Sequence, residues 1–356
     1  MYSFKDYVSN GMVYVGNMFR PQHKRLSQLM IYATTCCQSR CKHCHIWKKE
    51  MEMLSLEDIM KIMMSKCVTK NTTVGLEEGE FVLHPQADEI MGWFAANHQN
   101  YTLLSNCLAY NKVIGLTKRY KPSHLYVSLD GNKETYKQMR GIDGYDSVIK
   151  VVEAVKGTVP VSLMFCLSPW NSSADMEYVV NMAKHFGVDV RIGIYGSMSF
   201  FDTNVDMIDA GAGDWHGNIP ESVKATDENY DFIALYGEWI HRRLKLPCQS
   251  ILSELVVHSN GNVPLCQNLD VILGNIHEQS LDEIFNSVDA CKVQQRYSRN
   301  CNGCWINFHR KYDIVLFRNL ERILSKKIVE FFYGKYQWSG MHDETYKHYF
   351  SRIKKL

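Results

Sequence analysis

Six short apolar runs alternate with amphipathic stretches between residues 29 and about 205 of this chain. Two of those stretches, Ser55–Lys66 and Asp175–Phe186, carry apolar residues at helical spacing, and the first opens with a capping-box-like Ser-x-x-Asp. The apolar runs are Leu29–Ala33, Thr73–Leu76, Tyr101–Leu104, Leu125–Leu129, Val161–Leu167 and Val188–Tyr195. Strands that alternate with helices predict an α/β fold with a parallel sheet. The spacing alone permits either a doubly wound sheet or a partial barrel.

Three cysteines follow the first apolar run. Cys37, Cys41 and Cys44 are spaced as C-x3-C-x2-C. In either fold, ligands gather at the carboxyl ends of the strands, and this loop falls on that side of the sheet. Three thiolates on one loop can hold three irons of a four-iron cluster and leave the fourth iron free to bind a small molecule. A zinc knuckle or chance clustering of cysteines is the alternative.

A second set of cysteines lies near the C-terminus. Cys248 and Cys266 flank a predicted hairpin, whose turn is Ser259-Asn260-Gly261-Asn262. Such a hairpin can present two thiolates to one site, and the later pair Cys301-x2-Cys304 completes a four-thiolate set. Four thiolates with a C-x2-C half also make an ordinary structural zinc site, which stays open as an alternative.

Composition limits the possible functions. The chain has 356 residues, 46% of them hydrophobic, which is enough for one large core and a smaller appended unit. A net charge of +2 gives no basicity of the kind that nucleic-acid binding needs. We expect no transmembrane segment and no signal peptide, since no long apolar run is present. Twelve cysteines without an export signal favour metal ligation in a reducing compartment, and hence a cytoplasmic protein.

The segment around the first three cysteines resembles the signature of the radical S-adenosylmethionine (radical SAM) superfamily. His43 occupies the place where that family usually carries an aromatic residue. The resemblance implies an open, partial (β/α)6 TIM-like barrel and a 4Fe–4S cluster held by Cys37, Cys41 and Cys44. It also implies that the open iron chelates SAM, which an electron from the cluster splits to a 5′-deoxyadenosyl radical.

Other positions match the SAM-holding motifs of that family in part. Where the family has Gly-Gly-Glu-Pro, this chain has Glu78-Gly79-Glu80-Phe81, and Cys107 replaces the Gly of an Asn-Gly pair. Ser128 and Asp130 alternate along the fourth strand and can therefore reach one ligand. The resemblance implies cofactor contacts from Gly79, Glu80, Asn106, Ser128, Asp130 and Arg140.

The second cysteine set resembles the Twitch domain, a shortened form of the SPASM extension of radical SAM enzymes. Arg310 stands where a full SPASM domain continues with a further cysteine. The resemblance implies one auxiliary 4Fe–4S cluster, held by Cys248, Cys266, Cys301 and Cys304. We therefore expect an N-terminal extension (1–28), a radical SAM core (29–205), a linker with a helix (206–246), the auxiliary domain (247–310) and a helical tail (311–356).

The layout is similar to that of 2-deoxy-scyllo-inosamine dehydrogenase, which implies oxidation or epimerisation of a carbinol carbon in a sugar- or cyclitol-like small molecule. The auxiliary cluster would then accept an electron, and a flavodoxin or ferredoxin would donate one to the enzyme. Candidate catalytic residues that could face the substrate are Cys166, Arg191 and Tyr195. One alternative is a peptide- or protein-modifying maturase, although the segment before Leu29 is short for a leader-binding domain. Another is a non-enzymatic iron–sulfur or zinc-binding protein.

Overall fold

The computed structural model describes residues 4–196, 227–269, 271–310, 313–314, 317, 320 and 324–335. Within these residues, seven parallel strands form one sheet in the order β6-β5-β4-β3-β2-β1-β7. The strands are β1 (Gln28–Tyr32), β2 (Thr73–Glu77), β3 (Tyr101–Ser105), β4 (His124–Ser128), β5 (Val161–Leu167), β6 (Asp189–Ile194) and β7 (Glu254–Val257). The sheet curls into a partial barrel, which confirms the α/β fold that the resemblance implied.

Helices connect the first six strands. They are α1 (Phe4–Phe19) before the sheet, then α2 (Leu56–Met63), α3 (Ala87–Asn97), α4 (Tyr110–Tyr120), α5 (Lys133–Arg140), α6 (Tyr145–Val155) and α7 (Ser173–Phe186). The predicted capping box is present, because Ser55 and Asp58 exchange hydrogen bonds at the start of α2. Apolar residues at helical spacing, such as Val148, Val151 and Val155 of α6, are fully buried.

The predicted hairpin is wrong in its first strand. The residues before the turn, Glu254–Val257, form β7 and pair in parallel with β1 at the edge of the main sheet. All four are buried, which suits a strand covered on both faces. The hairpin instead joins β8 (Asn262–Pro264) to β9 (Ile272–Asn275) in antiparallel fashion. Extending the main sheet satisfies the free backbone edge of β1, which a separate hairpin would leave unpaired.

The remaining described helices belong to the C-terminal half. They are α8 (Asp227–Ile240), α9 (Leu281–Asn286), α10 (Val288–Asn300) and α11 (Lys326–Tyr333). Of the predicted linker and tail, residues 206–226 and 336–356 lie outside the described residues. In the described part of the chain, no helix combines the length and apolar character that crossing a bilayer requires.

Gly79 lets the loop after β2 pack against the loop that carries the first cysteines. Its φ is +56°, and a β-carbon there would lie 2.5 Å from the Cys36 carbonyl oxygen and 2.6 Å from that of Thr34. Beside it, the Glu80 amide donates a 2.7 Å hydrogen bond to the Cys36 carbonyl. The glycine therefore fixes the distance between the two loops.

We expect Gly79→Ala to destabilise the fold by about 3 kcal/mol, since it adds both a steric clash and an unfavourable φ. Gly187→Ala is the matched control, because Gly187 has a φ of +65° and nothing within 4 Å of its added β-carbon. That control should cost only about 1 kcal/mol. Urea unfolding measures both, and equal losses would show that the close approach at Gly79 is unimportant.

Candidate functional site

A cavity of about 350 Å³ lies at the carboxyl end of the main sheet. Its walls come from the loop after β1, from the ends of β2 to β6 and from residues 306–308 of the C-terminal half. The cavity brings together most of the residues that the sequence singled out. Those that line it are Cys37, Cys41, Cys44, Gly79, Asn106, Ser128, Asp130, Arg140, Cys166 and Tyr195.

The three cysteines of the first loop share this cavity. The side-chain amide of Asn106 donates to the Cys37 sulfur at 3.6 Å, and the Arg140 guanidinium donates to the Cys41 sulfur at 3.7 Å. Burial raises the pKa values of Cys37 and Cys44 to about 12. Donors directed at sulfur favour thiolates, which are the ligands of iron–sulfur clusters. The donor set therefore fits a cluster with three protein ligands.

A buried ion pair holds this loop in place. Both Nε and Nη2 of Arg140 lie 2.6 Å from one carboxylate oxygen of Asp130, whose side chain is 0% exposed. The backbone carbonyl of Arg140 accepts a 3.0 Å hydrogen bond from the Arg40 amide. The other Asp130 oxygen accepts one from the Cys166 amide at 3.3 Å. Two strand ends, helix α5 and the cysteine loop thus meet at one charge pair.

Glu80 lies beside the cavity rather than in its lining. Its carboxylate oxygens accept hydrogen bonds from the Ser105 hydroxyl at 2.8 Å and from the backbone amide of Asn106 at 2.7 Å. Burial raises the pKa of Glu80 to about 7, although these hydrogen bonds lower it. The side chain therefore holds the end of β3 and directs Asn106 toward Cys37.

Only two of the three candidate catalytic residues line the cavity. Cys166 and Tyr195 line the cavity, and the Tyr195 ring packs edge-on against Trp170 at 5.5 Å. Arg191 is not among the lining residues, and its guanidinium lies 5.3 Å from the centre of the Tyr126 ring. Arg191 lies two residues before Gly193, which lines the cavity, so it faces the same side of β6 but lies deeper in the barrel.

The lining residues that were not predicted to contact cofactor or substrate include Tyr32, His43, Glu77 and Glu78. Burial lowers the pKa of His43 to about 4, so its ring is neutral near pH 7 and lines the cavity as an uncharged planar group. Burial raises the pKa of Glu77 to about 7, against the opposing effect of the Arg191 charge. The one sequence feature that pointed to this acidic wall is Glu78, which stands where the related motif has glycine.

The second cysteine set surrounds a separate buried region. Cys248, Cys266 and Cys304 are buried and Cys301 is half-buried. Cys248 and Cys266 are near enough to Cys304 for its charge to contribute to raising their pKa values, after the larger effect of burial. Backbone and side-chain donors reach two of these sulfurs: the Asn268 amide lies 3.4 Å from Cys266, and the Ser250 hydroxyl lies 3.3 Å from Cys248. Four thiols with these neighbours fit an iron–sulfur cluster.

Arg310, at the position of a further cysteine in a full SPASM domain, is completely buried beside this set. It donates to the carbonyls of Cys304 at 2.9 Å and Leu246 at 2.8 Å, and it pairs with Asp313 at 3.2 Å. The side chain therefore braces the loop that carries the last thiols, where the longer domain has a ligand.

Two protein-family models match separate parts of the chain. A model of the radical SAM superfamily matches residues 31–183, and a model of the SPASM family, an iron–sulfur cluster-binding domain, matches residues 248–305. This chain is a radical SAM protein with a SPASM domain. The resemblance stated from the motifs is thereby confirmed, together with the cofactors that it implied: SAM, its 4Fe–4S cluster and auxiliary iron–sulfur chemistry.

Relatives share parts of this radical SAM protein. A probable GTP 3′,8-cyclase of Saccharolobus islandicus is 28% identical over 173 residues, which are 46% of this chain and 55% of the cyclase. The chain thus spans about half the length of that relative. The subtilosin biosynthesis protein AlbA of Bacillus subtilis is 23% identical over 309 residues, 77% of this chain and 67% of AlbA.

Solved structures share its fold. SuiB of Streptococcus suis superposes with a TM-score of 0.61 at 13% identity, covering 85% of this chain and 76% of SuiB. The protein anSMEcpe with bound AdoMet and a peptide gives a TM-score of 0.56 at 15% identity, covering 85% of this chain and 99% of that one. At these identities the likeness establishes the fold alone.

We predict that Arg140→Met destabilises the protein by about 3–5 kcal/mol, because it leaves the buried Asp130 carboxylate unpaired. Arg119→Met provides the comparison, since its ion pair with Asp88 has a similar length of 2.7 Å but is exposed. That variant should keep nearly the wild-type stability in chemical unfolding. Similar losses in the two variants would contradict the central place given to the buried pair.

Proposed function

We propose that this radical SAM enzyme binds SAM in the cavity at the end of the sheet and abstracts a hydrogen atom from a substrate there. The observation that carries the proposal is the convergence of Cys37, Cys41 and Cys44 with the partial SAM-holding motifs on one cavity. When bound, SAM and the clusters would supply the radical that takes the hydrogen atom and an acceptor for the remaining electron.

The residues of the chain would orient these groups. Cys37, Cys41 and Cys44 would ligate the first cluster, with Asn106 and Arg140 donating to its sulfurs. Gly79, Asn106, Ser128 and the Asp130–Arg140 pair would contact SAM. Glu80, behind the lining, would hold Asn106 in place for these contacts through its hydrogen bonds to the Ser105 hydroxyl and the Asn106 backbone amide.

Cys248, Cys266, Cys301 and Cys304 would hold one auxiliary cluster, which leaves no open iron and suits electron transfer. A structural zinc held by the same four thiolates is the alternative, and metal analysis of the purified protein distinguishes it from an iron–sulfur cluster.

For the reaction, we propose oxidation or epimerisation of a carbinol carbon in a sugar- or cyclitol-like metabolite. Oxidation removes a hydrogen atom from carbon, a proton from the hydroxyl group and one further electron, and the product is a carbonyl compound. The hydroxyl proton would be released to solvent. Cys166 and Tyr195 line the cavity and could donate a hydrogen atom in epimerisation, whereas Arg191 would act from deeper in the barrel.

Peptide modification is the second candidate. It is favoured by the relatives that span most of the chain, since AlbA acts in the biosynthesis of a bacteriocin and SuiB has been solved with a precursor peptide. The cyclase match supports no nucleotide substrate, because it covers less than half of this chain. For either reaction we propose a low-potential donor such as flavodoxin or ferredoxin, and a reducing cytoplasm as the location, since its twelve cysteines include seven proposed ligands.

The test is anaerobic reconstitution with iron and sulfide, followed by measurement of 5′-deoxyadenosine formed from SAM under dithionite. Wild type should form it, and the variant with Cys37, Cys41 and Cys44 all changed to Ala should not. Cys36→Ala is the matched control, because Cys36 lies in the same loop outside the proposed ligand set, and it should retain activity. Loss in Cys36→Ala, or formation in the triple variant, would overturn the ligand assignment. A loaded wild type that never cleaves SAM, with or without the candidate substrates, would favour an electron carrier.

A further inference from the structure

Two carboxylates that line the cavity are outside the set of residues proposed to hold SAM and its cluster. Glu77 ends β2, and its partner in the strand register is Tyr32 of β1. Glu78 follows it, and both side chains line the cavity. Gly75 lies two residues before Glu77 and therefore on the same face of β2. A β-carbon at Gly75 would lie 3.0 Å from the Glu77 carboxylate, which shows that the Glu77 side chain projects toward the barrel interior.

Both the burial of the Glu78 side chain and its backbone conformation lower the stability of the fold. Its side chain is 8% exposed, and neither carboxylate oxygen has a hydrogen-bond partner among the described residues. The nearby Ser259 hydroxyl donates to Glu52 at 3.4 Å, and its proximity also lowers the pKa of Glu78 against the larger effect of burial. The backbone φ of Glu78 is +70°, in a region that favours glycine. A desolvated acid on a strained backbone is expected at a functional position rather than a structural one.

The charges near Glu77 and Glu78 do not compensate for the burial of these two carboxylates. Lys49 and Arg191 each contribute positive charge, the first near Glu78 and the second near Glu77, but burial outweighs both and raises the pKa of each acid. The Glu52 carboxylate adds a like charge on Glu78. Two adjacent carboxylates in a shielded cavity are stabilised in their charged forms by a cation that enters with the ligand.

We propose that Glu77 and Glu78 form a binding site for an ammonium group of the substrate, so that the substrate is a cationic amine. The proposal rests on the proposed function, because it assumes that the substrate occupies this cavity. The α-ammonium of SAM has the same chemistry and is the other possible source of the cation. Binding of SAM and binding of a separate amine are therefore measured side by side.

The experiment measures calorimetric binding of two ring-sized probes, cyclohexylamine and cyclohexanol, to the fully reconstituted protein with SAM present. Wild type should bind the amine at least about ten-fold more tightly than the alcohol. Glu78→Gln, which keeps the side-chain shape, should lose that preference. Glu78→Gly should lose it as well, and it also relieves the backbone strain, so that loss cannot be ascribed to misfolding. Glu57→Gln, at an exposed position of α2, should keep the wild-type preference.

Three results would overturn the proposal. Wild type could bind both probes equally, or the preference could survive in the Glu77→Gln/Glu78→Gln double variant. Alternatively, Glu78→Gln could weaken SAM binding by about ten-fold and leave the probe preference intact, which would assign the wall to the SAM ammonium. Deoxyadenosine formation by wild type is measured separately. A preference for the amine without SAM cleavage would therefore contradict the proposed function but support the ammonium site.

Discussion

The buried pair of Asp130 and Arg140 is the interaction on which the arrangement of the site depends. Asp130 follows β4 and binds the backbone of β5 through Cys166, while Arg140 ends α5 and reaches the sulfur of Cys41. Because both charges are withdrawn from water, each is tolerable only while the other is in place. The pair thus couples the closure of the barrel to the position of the cysteine loop. A site assembled this way is shaped before any cofactor arrives.

The seventh strand gives the cavity its other wall. Because β7 adds to the edge of β1, the turn and hairpin that follow it are held at the carboxyl end of the sheet. There the Gln267 amide donates to the Tyr32 hydroxyl, and the His258 ring stacks on that of Tyr32 at 5.7 Å. Tyr32 ends the strand that leads into the first cysteine loop. The auxiliary domain therefore contacts the barrel beside the proposed substrate region, which suits an electron path between the two cysteine sets.

The fold could be predicted because its information is local: each apolar run has the length of one strand, and each amphipathic stretch has that of one crossover helix. Pairing is not local, and Glu254–Val257 suited a hairpin or the edge of β1 equally well until the rest of the sheet was known. The two cysteine sets could be singled out from their spacing. The depth of Arg191 and the burial of Arg310 were not, because side-chain surroundings depend on distant elements. Glu78 was visible as a departure from a motif, but its burial was not.

Under the proposed function, the two cysteine sets hold two separate clusters, one beside the cavity and one in the auxiliary domain. The most direct measurement is the iron content and Mössbauer spectrum of three anaerobically reconstituted proteins. Wild type should hold about eight irons, and variants lacking either Cys37, Cys41 and Cys44 or the four later cysteines should each keep about four, as 4Fe–4S clusters. About four irons with one zinc in wild type, or loss of all iron in either variant, would contradict two independent clusters.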